Sequence, residues 1–428
     1  MKKAAAYAAA SFAIAFTTIL AIQLQYPIMY GIDGPYYLIQ LRHLLSEGAI
    51  KYPDPPLTYY MLAPFYALSD IKDLGLKFAV AFYAGLTALT LFEAFKKYGN
   101  LSGFSAALAF TFSPYTLRLS YDLIKNFVSL FFIALILYIF INVRNQRKAV
   151  VYASIVAAAS ALSHVLTFGV LALYSIMLSA IYLFEKRRRD AAVKAAAAAA
   201  ITSILILAAT LTIVPQIVGY DSEKLLSFIE NPFNQGKARM TALGFSANIL
   251  IGSAGIAYGL TKKKSPEIAA AAGIMLILVN LPFIGEAWLF RFSLMSSILM
   301  PPIAALIVGE IGKTERGLAV ILLTGLMLSA FAPAASAIKI TLTMRDYKML
   351  KDELVKKVPE GSTLVVPDVR LRYWLEALHE DEYNIVKQMP HPPPPGTYLI
   401  LDKARGFKAN PRWERVLDGD RVEVLRVR

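Results

Sequence analysis

The chain has 428 residues, 57% of them hydrophobic and only 17% charged, with a mean hydropathy of +0.52; a soluble protein carries roughly 25% charged residues. A formal net charge of +14 invites a nucleic-acid reading. Its Lys and Arg, however, sit in short clusters between apolar runs, the pattern of cytoplasmic loops in a membrane protein, so nucleic acid is excluded as a partner. Cysteine is absent, which excludes disulfide and thiol chemistry.

Runs of about 20 apolar residues are long enough to cross a hydrocarbon core of about 30 Å, and a backbone in lipid must be helical to satisfy its own hydrogen bonds. Lys2 and Lys3 precede the first run, Ala4 to Leu24, and Gln23-Leu24-Gln25-Tyr26-Pro27 gives no small-residue cleavage site. The run therefore reads as a retained signal anchor with a cytoplasmic N-terminus. A polar first loop, 25–73, is expected outside. Later spans are expected at 74–95, 101–118, 124–143, 149–164, 167–184, 195–214, 244–260, 267–284, 289–309 and 317–338, about eleven in all. With that count, the basic clusters Lys96-Lys97, 144–148, 186–194, 262–264 and 313–316 all fall in the cytoplasm. The run from Val150 to Phe184 must then be two spans, turning at Ser163-His164-Val165-Leu166-Thr167.

The C-terminal segment, 340–428, is rich in charge and is expected as a small extracytoplasmic α/β domain, with 1–339 as the transmembrane module. Ser362 to Pro367, Thr397 to Leu401 and Arg421 to Val427 read as strands, and Asp368 as the cap of a helix from Val369 to Glu380. Pro392 to Pro395 reads as a stiff connector. The charges Asp368, Arg370, Arg372 and Glu376 read as a solvated helix face.

Candidate chemistry lies mostly in the first loop. Asp33 stands just before an amphipathic stretch, Leu38 to Glu47, expected to lie in the membrane interface. A carboxylate there has three uses: metal ligand, general base, or helix cap. Asp122 lies in a very short second outer loop, where it either serves function or pairs with Lys125 or Arg118 and caps the fourth span. His164 is a packing residue or a ligand. Arg291 either snorkels or meets an anion. The loop 215–241 carries Asp221, Glu223, Glu230, Lys237 and Arg239, and Glu286 precedes the tenth span. No phosphate-cradling glycine loop, zinc spacing or nucleophile elbow is present, which argues against ATP-driven transport.

In order, these residues resemble the GT-C superfamily of membrane glycosyltransferases, in the branch holding protein O-mannosyltransferases and lipid A aminoarabinose transferases. The likeness rests on Asp33 after the first span, Tyr36-Tyr37, the Pro55-Pro56-Leu57-Thr58-Tyr59 element, Asp122, and Arg291 near a later span. There are departures: Asp33 is followed by Gly34 instead of a second acid, and no Trp-Trp-Asp-type motif occurs in the C-terminal segment. The resemblance implies an inverting transfer of a sugar from a polyprenyl phosphate or diphosphate to a lipid, glycan or protein acceptor at the outer face of the cell membrane. Asp33 and Asp122 would be catalytic, with Asp33 as general base. Arg291 and Lys125 would bind the donor phosphate. Tyr36, Tyr37, Asp54, Pro55, Pro56, Tyr59 and His164 would line the groove. A divalent metal is optional, with Asp33, Asp122 and His164 as candidate ligands. The rival readings are a flippase for lipid-linked sugars and a noncatalytic part of an envelope glycan assembly complex.

Overall fold

A computed structural model describes residues 2–31, 33–184, 190–213, 242–261, 266–281, 286–315, 318, 342–388, 394, 396–405 and 413–427. The helices are α1 (Lys2–Gln23), α2 (Asp33–Glu47), α3 (Leu57–Leu68), α4 (Lys72–Phe95), α5 (Asn100–Thr111), α6 (Pro114–Asp122), α7 (Ile124–Asn142), α8 (Gln146–Ala161), α9 (Val165–Phe184), α10 (Ala191–Ile213), α11 (Ala242–Thr261), α12 (Pro266–Leu278), α13 (Glu286–Leu294), α14 (Ser296–Thr314), α15 (Met344–Lys348), α16 (Leu354–Lys357) and α17 (Val369–His379). The described residues form two compact units, one within Met1–Gln25 and Tyr52–Ala337, the other within Tyr26–Lys51 and Ile338–Arg428. The segment 26–51, which the sequence groups with the transmembrane module, thus folds with the C-terminal segment.

The first unit is helical and belongs to an integral membrane protein. Among the described residues, six helical runs are long and apolar enough to cross a membrane: Lys2–Gln23, Lys72–Tyr98, Ile124–Asn142, Val165–Phe184, Ala191–Thr210 and Trp288–Thr314. Two shorter apolar helices, Ala247–Thr261 and Glu267–Leu278, accompany them. The α7 helix is apolar all round and almost wholly buried, as befits the middle of a bundle. On α10, by contrast, Ile201, Ile204 and Leu205 are exposed, as on a helix facing lipid. Close helix approach uses small residues: a Cβ on Gly273 of α12 would lie 2.4 Å from the Gly252 carbonyl oxygen of α11, a packing common between membrane helices.

The expected span 101–118 is instead two helices, α5 and α6, broken at Phe112-Ser113. Pro114 forces the break: its ring pushes Ser113 out of the helical region, to φ −67° and ψ 129°, and then starts the next helix. The expected 267–284 ends early, at Leu278. All of the expected 317–338 but residue 318, the loop 215–241 and the basic cluster 262–264 lie outside the described residues, as does most of Pro392 to Pro395.

In the second unit, strands β1 (Thr363–Val365), β2 (Asn384–Val386), β3 (Tyr398–Asp402), β4 (Glu414–Asp418) and β5 (Val422–Arg426) form one sheet in the order β2-β1-β3-β5-β4. The β1 strand pairs in parallel with β2 and β3, while β5 runs antiparallel to β3 and β4. All of β3 is buried, as a central strand covered on both sides should be. Val365, Leu399, Leu401 and Leu425 form its core, with Val386 and Trp413 packed against them. The sequence reading anticipates β1, β3 and β5 but not β2 or β4, whose polar residues break the apolar pattern. Helix α15 passes through a π-helical turn, Met349–Glu353, into α16. Buried Asp346 fixes α15 to the β4–β5 turn, accepting from the Arg421 and Val422 amides at 3.2 and 3.3 Å. A Cβ on Gly419 would lie 2.1 Å from its carboxylate, so this turn requires glycine.

Candidate active site

In the helical unit the Pro-Pro element leads into α3 and is anchored from two sides. The Leu57 amide donates to the Leu162 carbonyl at 2.9 Å. Thr58, Ser163 and Ser129 form a buried hydroxyl chain, 2.5 and 2.6 Å long, which ties α3 to α7 and to the turn between α8 and α9. Beside it, Tyr59 donates its hydroxyl to Asp54 Oδ2 at 2.6 Å, and Lys125 binds Asp54 Oδ1. Both charged side chains are almost fully buried. Lys125 stands in the first turn of α7, where the helix dipole opposes a cation, and Asp54 supplies the compensating charge. Lys125 therefore pairs with Asp54, not with Asp122. Pro55 and Pro56 are half-buried at the head of α3.

Asp122 ends α6 and pairs with Arg118, one turn back, at 2.5 Å. It does not cap the following helix: α7 starts at Ile124, with Leu123 in the cap position and no side-chain cap. Arg118 Nη1 makes this pair with Asp122 Oδ2, while Asp122 Oδ1 is buried without a hydrogen-bond partner. Arg118 also lies over the Phe290 ring, 5.8 Å from its centroid. Its α6 thus packs beside α13, the helix that carries Arg291. Arg291 lies 5.8 Å from the Trp288 ring, itself stacked on Phe292. Gln23, at the end of α1, donates to the Ser120 carbonyl at 2.5 Å and fixes the same short helix from another side. The structure thereby brings together the helices of Asp122 and Arg291, and adds Arg118, which the sequence offers only as a partner for Asp122. Its signal was the i,i+4 spacing to Asp122.

His164 precedes α9, and its Nδ1 accepts from the Thr167 amide at 3.4 Å, the geometry of a local helix cap. Among the described residues no group of three or more His, Asp or Glu side chains gathers to hold a metal ion.

In the second unit Asp33 opens α2, half-buried. The departure at Gly34 has a steric cause: a Cβ there would lie 2.7 Å from the Met29 Cβ, which leaves no room for a second acid. Tyr37 and Gln40 are buried; Tyr36 accepts from Gln40 Nε2 at 3.1 Å and meets the Tyr373 ring of α17 at 5.3 Å. Helix α2 docks on the C-terminal end of α17. Arg42 donates to the Glu376 and Ala377 carbonyls at 3.0 and 3.1 Å, serving as a cationic C-cap. Arg42, His43 and Lys51 all converge on Glu380. Burial pushes the Glu380 carboxyl up, but hydrogen bonds from Lys51 and His43 outweigh it and hold its pKa at about 2. An expected interfacial helix is thus built onto the α/β domain.

The expectation of a solvated face on α17 is overturned. Asp368 and Glu376 are buried. Asp368 caps α17, accepting from the Arg370 and Leu371 amides at 2.8 and 3.4 Å, as anticipated. It also holds Arg370 and Arg405, while Arg372 approaches Glu376 at 3.9 Å. Glu376 faces Lys51 at 3.6 Å. Side chains that look solvated by period turn inward because each finds an opposite charge.

No protein-family model matches the chain, and no curated protein matches it. Solved structures do. The ArnT of Cupriavidus metallidurans bound to undecaprenyl phosphate superposes with a TM-score of 0.58 at 11% identity, over 98% of this chain and 97% of that one. Its apo state gives 0.59 at 11% identity, over 99% and 98%. The arabinofuranosyltransferase AftD from Mycobacteria gives 0.52 at 14% identity, over 100% of this chain but 40% of that one. At these identities the likeness is one of architecture, and it covers both units: the chain has the fold of the GT-C membrane glycosyltransferases.

Proposed function

We propose that this protein transfers a glycosyl group from a polyprenyl phosphate or diphosphate sugar to an acceptor hydroxyl at the outer face of the cell membrane. The observation that carries the reading is the end-to-end fold likeness to ArnT, whose structure was solved with undecaprenyl phosphate. Such a donor keeps its lipid in the bilayer and its phosphate at the interface. In the proposed step the acceptor O–H gives its proton to Asp33. The acceptor oxygen bonds the anomeric carbon as the bond from that carbon to the phosphate oxygen breaks. The lipid phosphate leaves with the electron pair, and single displacement inverts the anomeric centre.

Arg291 offsets the phosphate charge. Arg118 is its better partner than Lys125, because Lys125 is engaged by buried Asp54 whereas Arg118 lies over Phe290, on the helix that carries Arg291. Asp122 holds Arg118 in place. The N-terminus is cytoplasmic and the α/β domain extracytoplasmic in this reading, the side on which the positive loops leave it.

The test uses membranes bearing wild-type or Asp33→Asn protein and a panel of radiolabelled polyprenyl phosphate and diphosphate sugars. Label should leave the donor with wild type and stay on it with an inserted, folded Asp33→Asn protein. Equal release by both would remove Asp33 from the chemistry. No release by either would favour the flippase reading.

A further inference from the structure

The helix that carries both Arg118 and Asp122 is short. Pro114 cuts α6 off from α5, and its 9 residues are too few to hold a helix by their own propensity. Its position is imposed from outside. Toward one end Gln23 of α1 donates to the Ser120 carbonyl. Toward the other, Asn248 of α11 donates to the Tyr115 hydroxyl at 2.6 Å. The same Asn248 Nδ2 donates to Asn280 Oδ1 at 2.8 Å, just past the end of α12. Asn280 Nδ2 in turn donates to the Leu276 carbonyl at 2.8 Å and, at 2.9 Å, to the hydroxyl of Ser296, the first residue of α14. Asn248, Asn280 and Ser296 are all buried.

These bonds use both hydrogens of each carboxamide nitrogen, so the chain of bonds fixes distance and angle together. Hydrogen bonds between membrane helices add little net stability, because the unfolded chain in a membrane finds partners too. Two carboxamides inside an apolar bundle are thus better explained as a spacer than as an adhesive. What the spacer joins is specific. Tyr115 lies three residues before Arg118, on the same face of α6. Ser296 lies five residues after Arg291, across the junction of α13 and α14. A second tie closes the ring, the Arg118 guanidinium over Phe290, the neighbour of Arg291. The two arginines therefore stand on segments joined twice, once by an aromatic contact and once through Asn248 and Asn280.

We propose that Asn248 and Asn280 are positioning residues for the donor phosphate, setting the separation of the Arg118 and Arg291 guanidiniums so that one oxyanion meets both; the phosphate role of the two arginines rests on the glycosyltransferase reading. Guanidiniums need such placement more than an ammonium does, because their planar donors match a phosphate only in a fixed orientation. Neither asparagine contacts the donor; each acts through the helix that it holds.

The full chain in detergent is titrated calorimetrically with a polyprenyl phosphate and with the polyprenol of equal length, which lacks the phosphate. Tyr115→Phe, which removes only the acceptor hydroxyl, should weaken binding of the phosphate lipid by about threefold, and Asn280→Leu by about tenfold. Neither should change binding of the polyprenol by more than about twofold. In an Arg118→Gln background, Asn280→Leu should weaken phosphate-lipid binding by less than about twofold further, because its effect passes through Arg118. A purely structural role would weaken both lipids alike and add in full to Arg118→Gln. Either result overturns the proposal, as does wild-type binding by Tyr115→Phe and Asn280→Leu. Tyr115→Phe carries the same test where Asn280→Leu fails to insert and fold. Absence of any preference for the phosphate lipid in wild type would remove the phosphate site, and the donor reading with it. Asp33-dependent transfer together with unaffected binding by the network variants would overturn the positioning role alone.

Discussion

Lys125 and Asp54 are 71 residues apart, and nothing local says that they meet. The family resemblance selects both, one for phosphate and one for the groove. In the structure the two pair with each other. Removing the cation by Lys125→Met leaves a carboxylate buried without its partner and should cost about 3–5 kcal/mol. Thermal unfolding in detergent reads this. Adding Asp54→Asn to Lys125→Met should restore most of the loss, and a double variant as unstable as the single would show that the pair is not the source of the cost. Gly34 carries the same lesson in steric form. The acidic pair of the related pattern is missing there because Met29 fills the space that a side chain would need.

Helices and strands with a strong local signal are legible in advance. The apolar runs give α1, α4, α7, α9 and α10 close to their expected limits, and Asp368 caps α17 as read. Pro114 is a signal that the span reading passes over: one proline after Ser113 turns an expected single helix into α5 and α6. The docking of α2 is a different matter, since amphipathic periodicity says that a helix has an apolar face but not what covers it. Arg42, His43 and Lys51, on or after α2, choose Glu380. With its pKa lowered from 4.5 to about 2 in the folded chain, Glu380 contributes stability that is fully present above pH 4.5 and is lost as pH falls toward 2. The protection of the α2 amides, exchange measured relative to the intrinsic rate at each pH, should therefore be steady from neutral pH down to about 4.5 and fall below it. In Glu380→Gln that acid step should vanish; its persistence would assign the loosening to another group.

At the scale of the whole molecule, the chain returns to itself over more than three hundred residues: Arg42 contacts Glu380 and Tyr26 donates to the Leu342 carbonyl at 2.7 Å. The unit that contains Asp33 is completed by the C-terminal segment. A chain ending at 341 should thus keep its membrane insertion but lose Asp33-dependent release of donor label, because α2 loses the helix on which it docks. Full transfer by that shortened chain would show that α2 holds its place without α17.

The sequence by itself determined that this is a membrane protein, where the six long apolar helices of the described residues lie and that its C-terminal segment holds strands beside a capped helix. Those properties follow from periodicity, run length and capping, which act over a few neighbouring residues. Only the tertiary structure decided that α2 belongs with that domain, that Lys125 serves Asp54, that Arg118 takes Asp122, and that the charges of α17 turn inward. Each of these is a choice among opposite charges far apart in the chain, and only the packed fold fixes which of them meet away from water.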